Sequence, residues 1–169
     1  TCAYAFPWLD DFTTAIDLAN TCWTVEEGTP WTLDTSGAGT SPRLVLDTSE
    51  APDGPWEYCI VSPAIDAHRA LDASLSFWHR FTTTEPDDVM LYARLTVDDG
   101  ANWVDVWSEA GDGNASSRPS EDVFELVQGQ ETVRVALCAS SETGGPKPGL
   151  WVLDDIGLVG DAFVGEPPE

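Results

Sequence analysis

The apolar segment 149–158 constrains the fold of this chain most strongly, because two adjacent carboxylates, Asp154 and Asp155, interrupt it. Its composition is that of a β-strand, in which successive side chains point to opposite faces. The sequence therefore predicts that one of the two carboxylates points into a layer of packed apolar side chains. A buried, unpaired carboxylate is strongly destabilising. We expect a cation, an arginine or a set of backbone N–H groups to bind it.

The rest of the chain alternates short apolar runs with loops rich in Gly, Pro, Asp and Ser, and helical periodicity is almost absent. The clearest runs are 56–61, 71–81, 89–97, 103–107 and 132–139. This pattern predicts an all-β jelly roll, a two-sheet antiparallel β-sandwich. We expect the domain to occupy residues 1–162. The acidic, Pro-rich segment 163–169 is then the start of a linker to other domains of the same protein.

The charge of the chain excludes two classes of partner. Thirty acidic residues against seven basic ones give a formal charge of −23. Such a chain repels nucleic acid phosphates and anionic membrane surfaces. No apolar run is long enough for membrane insertion as a spanning segment. The acidic residues are scattered, which is typical of a solvated surface on a secreted domain, although salt adaptation of the source organism would give the same composition.

The four cysteines, Cys2, Cys22, Cys59 and Cys138, are widely spaced, and none forms a C-x-x-C pair. An even number without metal-binding spacing predicts two disulfides and an extracellular or cell-surface location. Three pairings are possible; proximity favours Cys2–Cys22, which leaves Cys59–Cys138. The alternative is free buried thiols in a cytosolic protein.

Five segments carry a family resemblance through their order along the chain. They are Asp10-Asp11-Phe12 with Cys22 to Gly28, then Val61 to Asp66, Leu75 to Arg80, Leu95 to Trp103, and Trp151 to Ile156. Together they resemble the MAM-like and choice-of-anchor J group of extracellular jelly-roll domains, over about residues 6–160. The resemblance implies a concanavalin-like, calcium-tolerant sandwich used for adhesion or ligand binding, without catalysis.

The resemblance also points to a metal site. Where the family commonly has Glu after its first Phe, this chain has Thr13. We predict that Asp10 or Asp11 lies beside Asp154 or Asp155, with backbone carbonyls and Thr13 completing the shell of a structural Ca²⁺. Calcium suits such a site because it takes about 6–8 oxygen ligands in flexible geometry. The alternative is that these acids are simply exposed to water.

The chain has eight tryptophans, which is a surplus for its length. Four lie close to predicted loops and are candidates for exposed ligand-binding aromatics: Trp31, Trp56, Trp103 and Trp107. Trp56, between Pro55 and Glu57, is the strongest candidate. An exposed aromatic ring can stack on the apolar face of a sugar. The alternative for each of the four is packing in the core.

Catalysis has little support in the sequence. The only two histidines, His68 and His79, lack metal-binding spacing, and no G-x-S-x-G motif is present. We therefore predict a non-catalytic extracellular recognition or adhesion module whose partner is an extracellular protein or a glycan. The alternative is a carbohydrate-binding accessory domain of a secreted hydrolase, and a small hydrolase ranks third.

Overall fold

A computed structural model describes residues 2–12, 17–35, 42–83, 88–111 and 115–164. Its strands are β1 (Ala3–Ala5), β2 (Trp8–Asp10), β3 (Thr24–Val25), β4 (Trp31–Asp34), β5 (Arg43–Asp47), β6 (Trp56–Val61), β7 (Ala64–Asp66), β8 (Ser74–Thr83), β9 (Val89–Thr96), β10 (Val104–Ala110), β11 (Ser116–Ser117), β12 (Ser120–Asp122), β13 (Arg134–Ser141) and β14 (Gly149–Val159). Helical structure is limited to two 3₁₀ turns, Leu18–Asn20 and Thr48–Glu50, and one short helix, α1 (Phe124–Val127).

The strands form two main antiparallel sheets. The five-stranded sheet has the order β10-β9-β13-β6-β3. The seven-stranded sheet has the order β11-β8-β14-β5-β4, with β12 also paired to β8 and β2 to β14. Strands β1 and β7 form a separate parallel pair. The predicted fold class, an all-β jelly-roll sandwich, is confirmed.

Period-2 alternation places the core between the two sheets. In β9, Leu91, Ala93 and Leu95 are buried in the main core, while the residues between them point outward. In β14, the fully buried Trp151 and Leu153 pack into the same core. The fold therefore leaves each sheet with an outer face, and the functional question becomes what those two faces carry.

A β-bulge explains the two acids in the closing strand. Asp154 lies opposite Trp78 of β8, whereas Gly157 lies opposite Ser76, so two residues of β14 face one residue of β8. Asp155 takes up the extra residue with a positive φ of 50°. The pattern of inward and outward side chains therefore shifts by one residue, so that Ile156 points into the core. Asp154 follows the inward Leu153, so it lies on the outer face and not in the core between the sheets, where a carboxylate was predicted. It is nevertheless buried, at 6% exposure, with Arg43 and the Asp155 N–H beside it.

Both predicted disulfides are confirmed. Cys2 pairs with Cys22, and Cys59 pairs with Cys138. The second bond joins directly opposite residues of β6 and β13, whose Cα atoms are 4.1 Å apart. Within the described ranges, no helix has the length and apolar character needed to cross a membrane. The linker predicted at 163–169 lies largely outside the described residues, which end at 164.

Candidate functional site

The outer face of the five-stranded sheet carries a second, smaller apolar cluster. Tyr92, Ala136 and Cys138 are buried there, at 7%, 2% and 0% exposure. Cys59, Val61 and Trp103 pack against them and are partly exposed. A sheet face turned to solvent buries apolar side chains only when other side chains cover them. We call this surface, with the charged residues around it, the platform.

The register of the three central strands explains why these residues meet. Cys138 of β13 lies between Tyr92 of β9 and Cys59 of β6, and Ala136 lies between Arg94 and Val61. Small side chains on the central strand let the larger ones from β9 lean across it. The apolar centre of the platform thus consists of two neighbouring sets of cross-strand residues, one through Cys138 and one through Ala136.

Arg94 forms the polar edge of the platform on the β9 side. Its guanidinium carbon lies 4.6 Å from the centre of the Tyr92 ring, a cation–π contact. Its Nε donates to Asp105 Oδ1 at 2.8 Å, and a terminal nitrogen lies 3.6 Å from Glu57 Oε2. The Tyr92 hydroxyl donates to the same Glu57 carboxylate. Arg94 is therefore held in place by three partners that also lie on this face.

The electrostatics of this group keep its donors and acceptors in defined states. Burial raises the pKa of Tyr92 well above its usual 10, and the hydrogen bond to Glu57 raises it further. Partial burial lowers the pKa of Arg94, but Tyr92, Asp105 and Glu57 more than compensate, so its pKa is raised. At neutral pH the phenol is thus a donor and the guanidinium is charged.

The turn from β9 to β10 positions Trp103. Asp98 accepts hydrogen bonds from the backbone N–H and the side-chain amide of Asn102, both at 2.8 Å, and from the Thr96 hydroxyl at 2.7 Å. These bonds, those of Asn102 above all, lower the pKa of Asp98 to about 2. Gly100 brings the turn close to Trp103, since a Cβ added there would lie 3.9 Å from its ring. The ring therefore follows a turn that is closed by several hydrogen bonds.

Arg134 supplies the opposite charged corner of the platform. Its Nε donates to Asp99 Oδ1 at 2.8 Å, and its Nη1 donates to the Ser62 carbonyl at 3.1 Å. Both arginines of the platform are thus paired with carboxylates. The platform thus carries two arginines against the four carboxylates of Glu57, Asp98, Asp99 and Asp105, a milder acidic excess than that of the whole chain, whose charge is −23.

Among the four tryptophans predicted to bind ligand, only Trp103 lies on the platform. The exposure expected of Trp31 and Trp56 is wrong, because they are only 5% and 7% exposed. Trp56 donates its indole N–H to the Gly145 carbonyl at 3.0 Å. Trp31 packs against Trp151, and the centres of the two rings are 6.0 Å apart. Trp107 is partly buried between the sheets, edge-on to Phe77 at 5.0 Å.

Tyr92, Arg94 and Glu57 are absent from the residues predicted to bind a ligand. Tyr92 and Arg94 are two apart in a strand-like run, so their common face was readable from the sequence. Their pairing with Glu57 was not, because it depends on β13 lying between β9 and β6.

The carboxylates predicted to bind calcium have varied partners. Asp10 accepts from the Phe12 backbone N–H at 2.9 Å and, through its other oxygen, from the Trp23 indole at 2.8 Å. Asp155 Oδ2 lies 3.1 Å from a terminal nitrogen of Arg118. Thr13 lies outside the described residues.

Asp154 is the most deeply buried of these carboxylates, at 6% exposure. One oxygen accepts from the Asp155 backbone N–H at 2.8 Å, and the other lies 3.6 Å from Arg43 Nε. Arg43 also stacks on Trp78, at 4.6 Å. Burial raises the pKa of Asp154, and the charges of Asp155 and Asp11 add to this effect. In the described ranges, no group of three or more His, Cys, Asp or Glu side chains is arranged to hold a metal ion.

The His79 side chain of β8 points between the two sheets and is only 3% exposed. Its Nδ1 accepts from the Trp151 indole N–H at 3.0 Å. Its Nε2 lies 2.9 Å from Ser117 Oγ and 3.3 Å from Glu109 Oε2. In a Ser-His-acid relay the serine and the acid bind opposite ring nitrogens. Here they share one nitrogen, so this group does not have the geometry of that relay.

Comparison with known proteins shows the fold but no family. No protein-family model matches the sequence, and no curated protein matches it significantly. The K1 cleaved adhesin domain of Lys-gingipain from Porphyromonas gingivalis W83 is similar in structure, with a TM-score of 0.64 at 10% identity, covering 92% of this chain and 98% of that one. They share a fold.

Two carbohydrate-binding modules are also similar in structure, with slightly lower TM-scores. Caldicellulosiruptor saccharolyticus CBM27-1, solved in complex with mannohexaose, has a TM-score of 0.60 at 13% identity and covers 90% of this chain and 96% of its own. The family 22 module of Clostridium thermocellum Xyn10B has a TM-score of 0.56 at 14% identity, with coverage of 93% and 96%. At these identities the likeness concerns the β-sandwich alone. The MAM-like resemblance stays a prediction.

Proposed function

We propose that this domain is a non-catalytic carbohydrate-binding module of an extracellular protein, and that the glycan binds on the platform. The observation that carries the proposal is that one partly exposed ring, Trp103, lies on the same face as the exposed carboxylates of Glu57 and Asp105 and the partly buried guanidinium of Arg94. A pyranose has apolar C–H faces and a rim of hydroxyls. Its face stacks on the indole, while its hydroxyls bond the carboxylates and the guanidinium.

The shape and charge of the platform narrow the ligand. From Arg134 to Ser140, β13 extends about 20 Å, since a strand rises about 3.4 Å per residue. At the Ser140 end, a shallow depression of about 440 Å³ continues the surface, lined by Pro55, Trp56, Glu57, Ser140, Ser141 and Glu142. Because the two arginines are already paired with carboxylates, a neutral oligosaccharide suits the surface better than a highly charged one. Two solved structures with this fold are carbohydrate-binding modules, which supports the proposal.

The experiment is a screen on a glycan array, followed by calorimetric titration of the best neutral oligosaccharide. We expect Trp103→Ala and Arg94→Ala each to weaken binding about tenfold or more, a loss of about 1.4 kcal/mol. Tyr4→Ala is the matched control, because Tyr4 is an exposed aromatic, at 43%, outside the platform. If no glycan binds, or if both platform variants bind as the wild type does, the proposal is wrong. An extracellular protein captured through the same residues would favour the adhesion alternative.

The predicted structural Ca²⁺ is retained as a second, separate proposal. Asp154 is buried, and the negative charges of Asp155 and Asp11 are close enough to raise its pKa. A divalent cation bound among these carboxylates would offset their mutual repulsion and stabilise the folded domain. Asp10 and Thr13 are the remaining predicted ligands, although both oxygens of Asp10 already accept hydrogen bonds. We expect calcium to raise the melting temperature of the wild type but not of Asp154→Ala. Equal melting in calcium and EDTA, with no calcium found by elemental analysis, would exclude the site.

The disulfides and the acidic surface support an extracellular location. We further propose that the linker joins this domain to others of the same protein, and that one of them is a secreted hydrolase which the module attaches to its substrate.

A further inference from the structure

A second surface with hydrogen-bonding groups lies on the outer face of the seven-stranded sheet, on the opposite side of the sandwich from the platform. Along β8 the side chains of Trp78, Arg80 and Thr82 alternate with buried ones and therefore point outward. Trp78 is partly exposed, and the other two are exposed. Val152 of β14 lies directly opposite Arg80 on one side, and Ser116 of β11 on the other. We call these five residues the β8 site.

Arg80 differs from the other basic residues of this chain. Among the residues that the structure describes, none forms an ion pair or a side-chain hydrogen bond with it. Five of the seven basic residues, in contrast, lie within 3.6 Å of a carboxylate oxygen: Arg43, Arg94, Arg118, Arg134 and Lys147. Although the chain has 30 acidic residues, the four other residues of the β8 site are uncharged. The N–H donors of the Arg80 guanidinium are therefore open to a ligand.

Two acids near the β8 site are already paired with other arginines. Asp154, which lies opposite Trp78, is buried, and its Oδ2 is 3.6 Å from Arg43 Nε. Asp155 Oδ2 lies 3.1 Å from a terminal nitrogen of Arg118. The Arg43 guanidinium lies over the Trp78 ring at 4.6 Å, and its side chain is 42% exposed. An anion in the β8 site thus meets neutralised carboxylates and the exposed part of a second guanidinium.

We propose that the β8 site binds the carboxylate of a uronic acid residue in a glycan that is otherwise neutral. Three parts of a uronate match three parts of the site. Its carboxylate accepts hydrogen bonds from Arg80, its hydroxyls bond those of Ser116 and Thr82, and its C–H groups lie on Val152. The site extends the proposed function, because a second sheet face then binds glycan, but it shares no residue with the platform.

Two other classes of anionic ligand fit this site less well. A polyanion, such as a nucleic acid or a polyuronate, is repelled by the charge of −23 on the whole chain. An acidic peptide commonly gains affinity by pairing its backbone with an open strand edge. Strand β8 has no such edge here, because it is bonded to β14 on one side and to β11 and β12 on the other. A glycan with isolated carboxylates avoids the repulsion and needs no strand edge.

The test compares two sugars that differ in one group. Methyl β-D-glucuronide has a carboxylate where methyl β-D-glucoside has a hydroxymethyl group. Each is titrated into the isotope-labelled domain, and binding is followed by the NMR signals of the Trp78 indole N–H and the backbone amides of the β8 site. We expect the glucuronide to shift these signals saturably and to bind at least about threefold more tightly than the glucoside, because only the glucuronide forms a charge-assisted hydrogen bond. Equal binding of the two sugars, or binding of neither, would overturn the proposal.

Variants separate the β8 site from the charge of the surface in general. Arg80→Gln should bind the two sugars equally. Arg69→Gln, which removes the same charge from a partly exposed residue outside the site, should keep the preference for the glucuronide. The proposal fails if Arg80→Gln keeps this preference or if Arg69→Gln also loses it. An unchanged amide spectrum away from the substituted residue confirms that each variant is folded.

Two further measurements distinguish this proposal from its neighbours. Trp103→Ala, which removes the ring of the platform, should keep the preference for the glucuronide, so the two glycan proposals succeed or fail independently. N-acetylglutamate amide has a carboxylate and peptide groups but no sugar ring. If it shifts the signals of the β8 site at lower concentration than the glucuronide does, the site binds acidic peptides and the proposal is wrong.

Discussion

Lowering the pH below 6.5 should destabilise this domain through His79. The ring is buried, its Nδ1 is occupied by the Trp151 indole N–H, and its Nε2 faces Ser117 and Glu109. Burial lowers the pKa of His79 below its usual 6.5, and the charge of Glu109 only partly opposes this. Protonation at Nδ1 would also set two N–H groups against each other. The folded state therefore favours the neutral ring.

The size of the effect follows from proton linkage. Below pH 6.5 the unfolded chain takes up a proton on this histidine and the folded chain does not. The free energy of unfolding therefore falls as the pH falls, by at most about 1.4 kcal/mol per pH unit for one group. Asp154 acts in the opposite direction. Its pKa is raised in the folded state, so the folded chain binds the extra proton and gains stability on acidification.

The measurement must separate these two groups. Guanidinium unfolding of the wild type and of His79→Asn between pH 7 and 5.5 does so, because the asparagine oxygen can accept from Trp151 but does not titrate. Asp154 contributes equally to both proteins. We expect the wild type to lose about 1 kcal/mol relative to the variant over this range. The control is His68→Asn, which removes a partly exposed histidine. Parallel stability curves for wild type and His79→Asn would refute the reasoning.

Three further predictions concern stability. Replacing Cys59 and Cys138 together by alanine should lower the free energy of unfolding by about 2–5 kcal/mol in urea titrations; an unchanged midpoint would contradict this. Gly144→Ala should lower the free energy of unfolding by roughly 2–4 kcal/mol, because its Cβ would meet the Gly54 backbone. The control is Gly28→Ala, which should lower it by only about 1 kcal/mol, because Gly28 also has a positive φ but has open space around it. Equal losses in the two variants would mean that the clash at Gly144 is relieved by a small movement. Tyr92→Phe should lower the free energy of unfolding by only about 0.5–1.5 kcal/mol, because Glu57, which loses the hydrogen bond, stays partly hydrated. Thermal unfolding measures this, and a larger loss would mean that the hydroxyl makes a second, buried hydrogen bond.

The strands and the disulfides could be predicted because their signals are local. Alternation over 89–97 is visible in the sequence and reappears as the buried and outward residues of β9. The two disulfides followed from four widely spaced cysteines and the closeness of Cys2 to Cys22. Neither inference needs to know which strands are neighbours.

The exposure of the tryptophans could not be predicted in the same way. Trp56 looked accessible beside Pro55 and Glu57, but the carbonyl that binds its indole belongs to Gly145, 89 residues along the chain. Trp103 looked much the same in sequence and remains partly exposed. Burial depends on which distant loop covers a ring, and neighbouring residues carry no information about that.

The closing strand shows where the sequence stops and the tertiary structure begins. Sequence alone determined that 149–158 is a strand and that its two acids conflict with a simple alternation, and it left a cation, an arginine or backbone N–H groups as possible partners of the buried acid. Arg43 and the Asp155 N–H lie beside Asp154 in that role. Only the pairing with β8 decided which side each acid takes, because the bulge opposite Phe77 adds one residue and reverses the alternation. A shift of one residue is invisible along a single strand, since it exists only relative to a partner.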